Sequence, residues 1–176
     1  MPELILTGNK MKIEFVRTAL RFVLMGILSY HNCAIAQDEK LSSGQTLYLP
    51  IYSHIWHGDR SGVGQTPLKT PLSVLVSIRN TNHATPLQLH SARYSDSSGK
   101  LLKQFVIAPV TIGPLSTYEI FIEKHDVQGG SGANLILQWG AAVPVNVPIV
   151  EAIHAEIKGH STLTFMTQAQ SINDEK

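Results

Sequence analysis

From Leu47 onward, apolar residues recur at every second position in short runs separated by Gly, Pro, Asn and Ser clusters. A period of two sends alternate side chains to opposite faces of an extended chain, so it predicts antiparallel strands rather than helices. Leu72, Val74, Val76 and Ile78 alternate with Ser73, Leu75, Ser77 and Arg79, which makes one face apolar and the other mostly polar. Tyr118, Ile120 and Ile122 alternate in the same way with Glu119, Phe121 and Glu123, after a Gly113-Pro114-Leu115 turn. Leu135, Leu137 and Trp139 form a third apolar face. Weaker strands are expected over 46–52, 87–94, 101–106 and 163–167, and the Asp96-Ser97-Ser98-Gly99 link predicts that two of them pair as a hairpin. Ile149, Ile153 and Ile157 fit a helical stripe as well as one face of a strand; the entry after Pro148 and the Ile and Val content favour a strand. Seven to eight strands in all predict an all-β, antiparallel β-sandwich of the immunoglobulin-like kind.

The first forty residues follow another logic. Met11 is followed by Lys12, Arg17 and Arg21, then by an apolar run from Phe22 to Leu28, then by Ala34-Ile35-Ala36 and the polar Gln37-Asp38-Glu39-Lys40. That order of basic, apolar and small-residue regions predicts a Sec-type signal peptide, with translation starting at Met11 and cleavage after Ala36. The apolar run is shorter than a membrane-spanning helix requires, so no permanent membrane span is expected. Cys33 is preceded by Tyr30-His31-Asn32, not by the small and aliphatic residues of a lipoprotein site. The expected organisation is a signal peptide over 1–36, a flexible mature N-terminus over 37–45, a sandwich domain over 46–168 and a polar tail over 169–176. Such a chain is exported, to the periplasm or beyond it.

Composition narrows the function classes. A length of 176 residues, 43% of them hydrophobic and 15% charged, fits one globular domain with a substantial core. Fourteen Lys and Arg stand against thirteen Asp and Glu, and removing residues 1–36 takes four bases and two acids, leaving ten against eleven. A nearly neutral chain has no field that concentrates nucleic acid, so no nucleic-acid partner is expected. The one Cys lies in the leader, which excludes thiol catalysis, disulfides and Cys-ligated zinc from the mature chain.

The stretch with most chemical potential is His54-Ile55-Trp56-His57-Gly58-Asp59. Two imidazoles and a carboxylate within six residues can supply ligands to zinc or copper, with His125, Asp126 or Glu151 as further candidates. Residues three apart on an extended strand face opposite sides, however, so His54 and His57 converge only if the chain turns there. Gly129-Gly130-Ser131-Gly132 can form a backbone nest for an anion, but a β pattern follows it, which favours a glycine-rich turn into the strand at Leu135. Ser131 lacks the frame of a nucleophile elbow, so a hydrolase with Ser53 or Ser131, His125 and Asp126 ranks third. Glu151 shares a strand face with Ile149, Ile153 and Ala155, where a carboxylate needs a partner such as Arg79 or Arg93, an edge, or a function. Tyr52 and Trp56 are core or strand-end aromatics, or else the cap of a binding patch.

Four stretches carry a resemblance to known sequences. The segment from Tyr48 to Asp59, Ser77-Ile78-Arg79-Asn80-Thr81, Gly129-Gly130-Ser131-Gly132-Ala133-Asn134, and Pro148-Ile149-Val150-Glu151-Ala152 resemble, in that order, a family of exported bacterial proteins catalogued only as a domain of unknown function. Phe165-Met166-Thr167-Gln168-Ala169 departs from the family's Ser-Arg-Gly ending. The resemblance implies export and a compact domain and brings no activity. The leading expectation is a non-catalytic binding or interaction module of the cell envelope, recognising an envelope protein or a small ligand. Its binding surface is expected around Tyr52, Trp56, Gly129, Gly130, Ser131, Gly132, Asn134 and Glu151. A His-based metal-binding protein is the alternative.

Overall fold

A computed structural model describes residues 41–172 of the chain, all of them within one compact unit, Glu39–Lys176. The expected leader lies outside the described residues. Twelve strands run in chain order: β1 (Ser42–Ile51), β2 (His54–His57), β3 (Leu68–Pro71), β4 (Ser73–Arg79), β5 (Leu87–Ser95), β6 (Leu101–Val106), β7 (Val110–Ile112), β8 (Thr117–Ile122), β9 (Ala133–Val145), β10 (Ile149–Lys158), β11 (Ser161–Gln168) and β12 (Gln170–Ile172). The alternation therefore located the long strands, and the residues that fitted a helix equally well form β10. The expected count of seven to eight is too low, because β2, β3, β7 and β12 are only three or four residues long and too short to show a period. β1 opens inside the stretch read as a flexible N-terminus, and β12 lies in the stretch read as a polar tail.

All pairings are antiparallel. One sheet has the order β12-β1-β9-β5-β6, with β7 also on β5; a second has the order β11-β10-β4-β8; β2 and β3 pair only with each other. The long strand β9 sits between β1 and β5, with Leu137 opposite both Leu47 and Ala92, and Leu135 opposite both Leu49 and Tyr94. Antiparallel residues that face each other share a sheet face, so these side chains line one surface. Val74, Val76 and Ile78 of β4 lie opposite Ile122, Ile120 and Tyr118 of β8 on the other sheet. Both sets belong to one buried cluster, which makes the molecule two layers over a shared core. Each fully buried Leu, Ile or Val contributes about 1.5–3 kcal/mol, and this cluster stabilises the fold more than any polar group does.

β10 corrects the reading of its faces. Val150, Ala152 and His154 point into the core, whereas Ile149, Ile153 and Ile157 stand on the outer surface. The inward row lies opposite Ile78, Val76 and Val74 of β4, all three of them buried. Glu151 is thus an outer-face residue, and it forms an ion pair with Arg79 on the neighbouring strand.

Candidate functional site

The four sequence stretches that carry the family resemblance meet in pairs. Tyr52 and Ser53 are the two residues between β1, which belongs to the first sheet, and β2. Ser53 is fully buried, and all its polar groups are engaged. Its backbone N–H and its hydroxyl both donate to the Gly130 carbonyl, each at 3.0 Å, and its own carbonyl accepts from the Leu72 N–H at 2.9 Å. The first stretch is thereby fixed to the third, and the ribbon of β2 and β3 is fixed at both feet.

The glycine turn is also held from the β5–β6 hairpin. The Ser97 N–H and hydroxyl donate to the Gly129 carbonyl at 3.0 and 3.1 Å, and the Gly132 N–H donates to the Ser97 hydroxyl oxygen at 3.0 Å. Gly130 needs its glycine because its φ is +81°, and Gly129 needs its own because a Cβ there would lie 1.9 Å from the Tyr94 hydroxyl oxygen. The turn thus fits over the Tyr94 ring. The Tyr94 hydroxyl is buried without a well-formed hydrogen bond. Burial first, and the charge of Asp126 second, push its pKa up to about 12 against a smaller opposing pull from Ser53. Asn134 and Ser131 are half-buried beside this turn, and Gly132 is exposed.

The second and fourth stretches meet through the Arg79–Glu151 ion pair. Beside it Asn80 is buried and organises the loop after β4: its side-chain amide donates to the carbonyls of Thr85, Ile112 and Gly113, and its side-chain oxygen accepts from the Asn82 N–H.

His154, which the sequence did not single out, completes the interior of this end. It is fully buried, its Nε2 accepts from the Tyr52 N–H at 3.1 Å, and its ring stacks on Phe165 with 4.6 Å between centroids. The Tyr52 ring meets both edge-on. Burial lowers the pKa of His154 to about 4, although the neighbouring carbonyls of Ala152 and Phe165 favour its proton. Tyr52 is therefore a packing residue. The signal for His154 was its place in the row Val150, Ala152, His154, hidden because the stronger Ile row lies on the other face.

The ribbon of β2 and β3 presents the remaining candidates. His54 is buried with neither ring nitrogen hydrogen-bonded, and Trp56 meets it edge-on at 5.0 Å. Burial first and the charge of Lys69 second lower the pKa of His54. His57 is exposed and shares a 3.0 Å hydrogen bond with Thr70. β2 is a regular strand through both histidines, so the rings leave it on opposite sides. Asp59 lies on the exposed loop beyond. Among the described residues no group of three or more His, Cys, Asp or Glu is placed to hold a metal ion. His125 and Asp126 sit in the turn after β8, on an open cleft of about 260 Å³ shared with Lys103 and Phe105, and neither Ser53 nor Ser131 belongs to it.

Trp56, in contrast to Tyr52, is 45% exposed, and every residue from Gly58 to Thr66 is exposed. A second cleft of about 380 Å³ runs beside the ribbon, between Lys69, Thr70 and Pro71 on β3 and Glu156, Lys158 and Leu163 on the β10–β11 hairpin. Glu156 is held there by an ion pair with Lys124. The arrangement is an exposed aromatic on a short ribbon whose feet are clamped into the core.

No curated protein matches the chain. Among solved structures it is similar to a crystal structure of Thermotoga maritima 1070, with 10% identity over 72% of this chain and 92% of that one and a TM-score of 0.37. A family model matches residues 44–172, a span that contains all four stretches. The chain belongs to the family described as Protein of unknown function (DUF3124).

Proposed function

We propose that this protein is an exported, non-catalytic interaction module of the cell envelope that recognises its partner through the β2–β3 ribbon. The observation that carries the reading is the contrast between the ribbon's foot and its surface. Ser53 fixes one foot to the glycine turn at Gly130 and Leu72 ties the other foot to Ser53, while Trp56 lies 45% exposed above them and the loop from Gly58 to Thr66 is open to solvent. A large aromatic held at a fixed angle loses little conformational entropy on binding, which is why Trp anchors so many interfaces. The cleft beside the ribbon, with Lys69 and Lys158 on its walls, gives a partner chain a second point of contact. Export, to the periplasm or beyond, rests on the order of basic, apolar and small residues before Gln37. The two-layer scaffold is read as immunoglobulin-like on its two antiparallel sheets over one core.

The test is capture from envelope extracts by the exported protein, compared with Trp56→Ala and with Phe121→Ala, a control on the outer face of the second sheet. A partner retained by the wild type and the control but lost from Trp56→Ala supports the reading. Capture of the same partner by all three proteins, or by none, contradicts it.

A further inference from the structure

Sheet edges offer unpaired backbone groups, and natural proteins guard them with charge, proline, irregularity or shortness. Four of the five edge strands of the two large sheets are guarded in that way. β12 and β7 are three residues long; β6 carries Lys103 and shows two register shifts against β5; β8 carries Glu119 and runs into Glu123-Lys124. β11 has none of these protections. It is eight residues long, Ser161-Thr162-Leu163-Thr164-Phe165-Met166-Thr167-Gln168, without Lys, Arg, Asp, Glu or Pro. It pairs in unbroken register with β10 on one side, and among the described residues no strand pairs with its other side. Its Thr, Phe and Leu content is that of a strand built for pairing.

The outer face leads to the same edge. The registers place Phe121 of β8, Leu75 of β4, Ile153 of β10 and Met166 of β11 in one row across all four strands. Phe121, Ile153 and Met166 are 52%, 42% and 51% exposed, so the row is an apolar band that ends on the unguarded strand.

We infer that β11 is a self-pairing edge, and that two copies of this chain join β11 to β11 antiparallel about a twofold axis, merging their four-stranded sheets into one of eight strands. A second copy is the fitting occupant because the strand is complementary to itself. Centred on Thr164, the pairing sets Phe165 opposite Leu163 of the second copy on the inner side and Met166 opposite Thr162 of the second copy on the outer side. No charges oppose one another. The apolar band then continues into the second copy, where Ile157 lies beside Thr162. Backbone hydrogen bonds give such a contact its affinity, and the alternate side chains give its register.

The experiment is sedimentation of the exported protein over a concentration series, with two charge variants on the outer face. The wild type is expected at twice the chain mass. Thr162→Lys with Met166→Lys sets like charges opposite each other twice across the axis, and is expected at the chain mass with an unchanged circular dichroism spectrum. Thr162→Lys with Met166→Glu sets opposite charges there and is expected back at twice the chain mass. A wild type at the chain mass throughout the series overturns the inference, as does a Lys–Lys variant that associates like the wild type. Both readouts are independent of Trp56, so they stand apart from the capture test above.

Discussion

At the scale of single residues, the glycines and buried polar groups of this end of the molecule act as fitted parts. Gly129 has no space for a side chain, since a Cβ there meets the Tyr94 hydroxyl oxygen at 1.9 Å and the Ala133 Cβ at 2.9 Å. Gly129→Ala is expected to lower unfolding stability by about 1–3 kcal/mol, the usual cost of overpacking, and Tyr94→Phe in that background to restore part of it by removing the nearest atom. Denaturant unfolding of the two single variants and the double variant checks this; strictly additive effects contradict it. His154 makes a pH-dependent contribution whose sign is fixed. Its pKa is about 4 in the fold against 6.5 in an ordinary histidine, so the unfolded chain binds more protons between those values. Stability is therefore full above about pH 6.5, falls as the pH drops towards 4 by on the order of 3 kcal/mol, and levels off below. His54, also lowered, acts in the same direction. His154→Gln keeps an acceptor for the Tyr52 N–H and is expected to be less stable at neutral pH but flatter across that window. A wild-type profile as flat as the variant's would speak against the buried neutral ring.

At the scale of elements, the long strands were legible because a half-buried strand writes its two faces into alternate residues, as in Leu72 to Arg79 and Tyr118 to Glu123. β10 was legible as a strand but not as to which face turns inward. Hydrophobicity alone favours the Ile row, whereas the pairing with β4 sets Val150, Ala152 and His154 beside its buried Ile78, Val76 and Val74. β2, β3, β7 and β12 left no period to read. Of the candidate site, Trp56 and the Arg79–Glu151 pair were within reach of the sequence. The clamp of Ser53, Ser97 and the glycine turn was not, because it depends on residues up to 77 positions apart. The ion pair adds a side-chain contact between the paired strands β4 and β10 on the outer face, with the Arg79 side chain 40% exposed. Solvent screens a pair so placed, so Arg79→Ala is expected to cost about 0.5–1 kcal/mol, with Glu151→Gln adding little once Arg79 is gone. A double-mutant cycle at low and high salt measures this, and a coupling near zero at low salt contradicts it.

At the scale of the whole molecule, the two sheets, their shared core and the clamped turn form a stable base for one projecting element. No helix among the described residues is long and apolar enough to cross a membrane. Three of its buried polar residues fix backbone: Ser53 at the ribbon, Asn80 at the loop after β4, and His154 at Tyr52. The ribbon leaves Trp56, His57, Leu68 and Lys69 to solvent, together with the loop tip around Val63. This ribbon is the proposed site of partner binding. The most direct measurement is in-cell photo-crosslinking from position Val63, with the native sequence elsewhere and with Trp56→Ala. A discrete adduct to a partner is expected, and it disappears when Trp56 is replaced while the protein level stays the same. An absent adduct, or one that persists undiminished without Trp56, would contradict it.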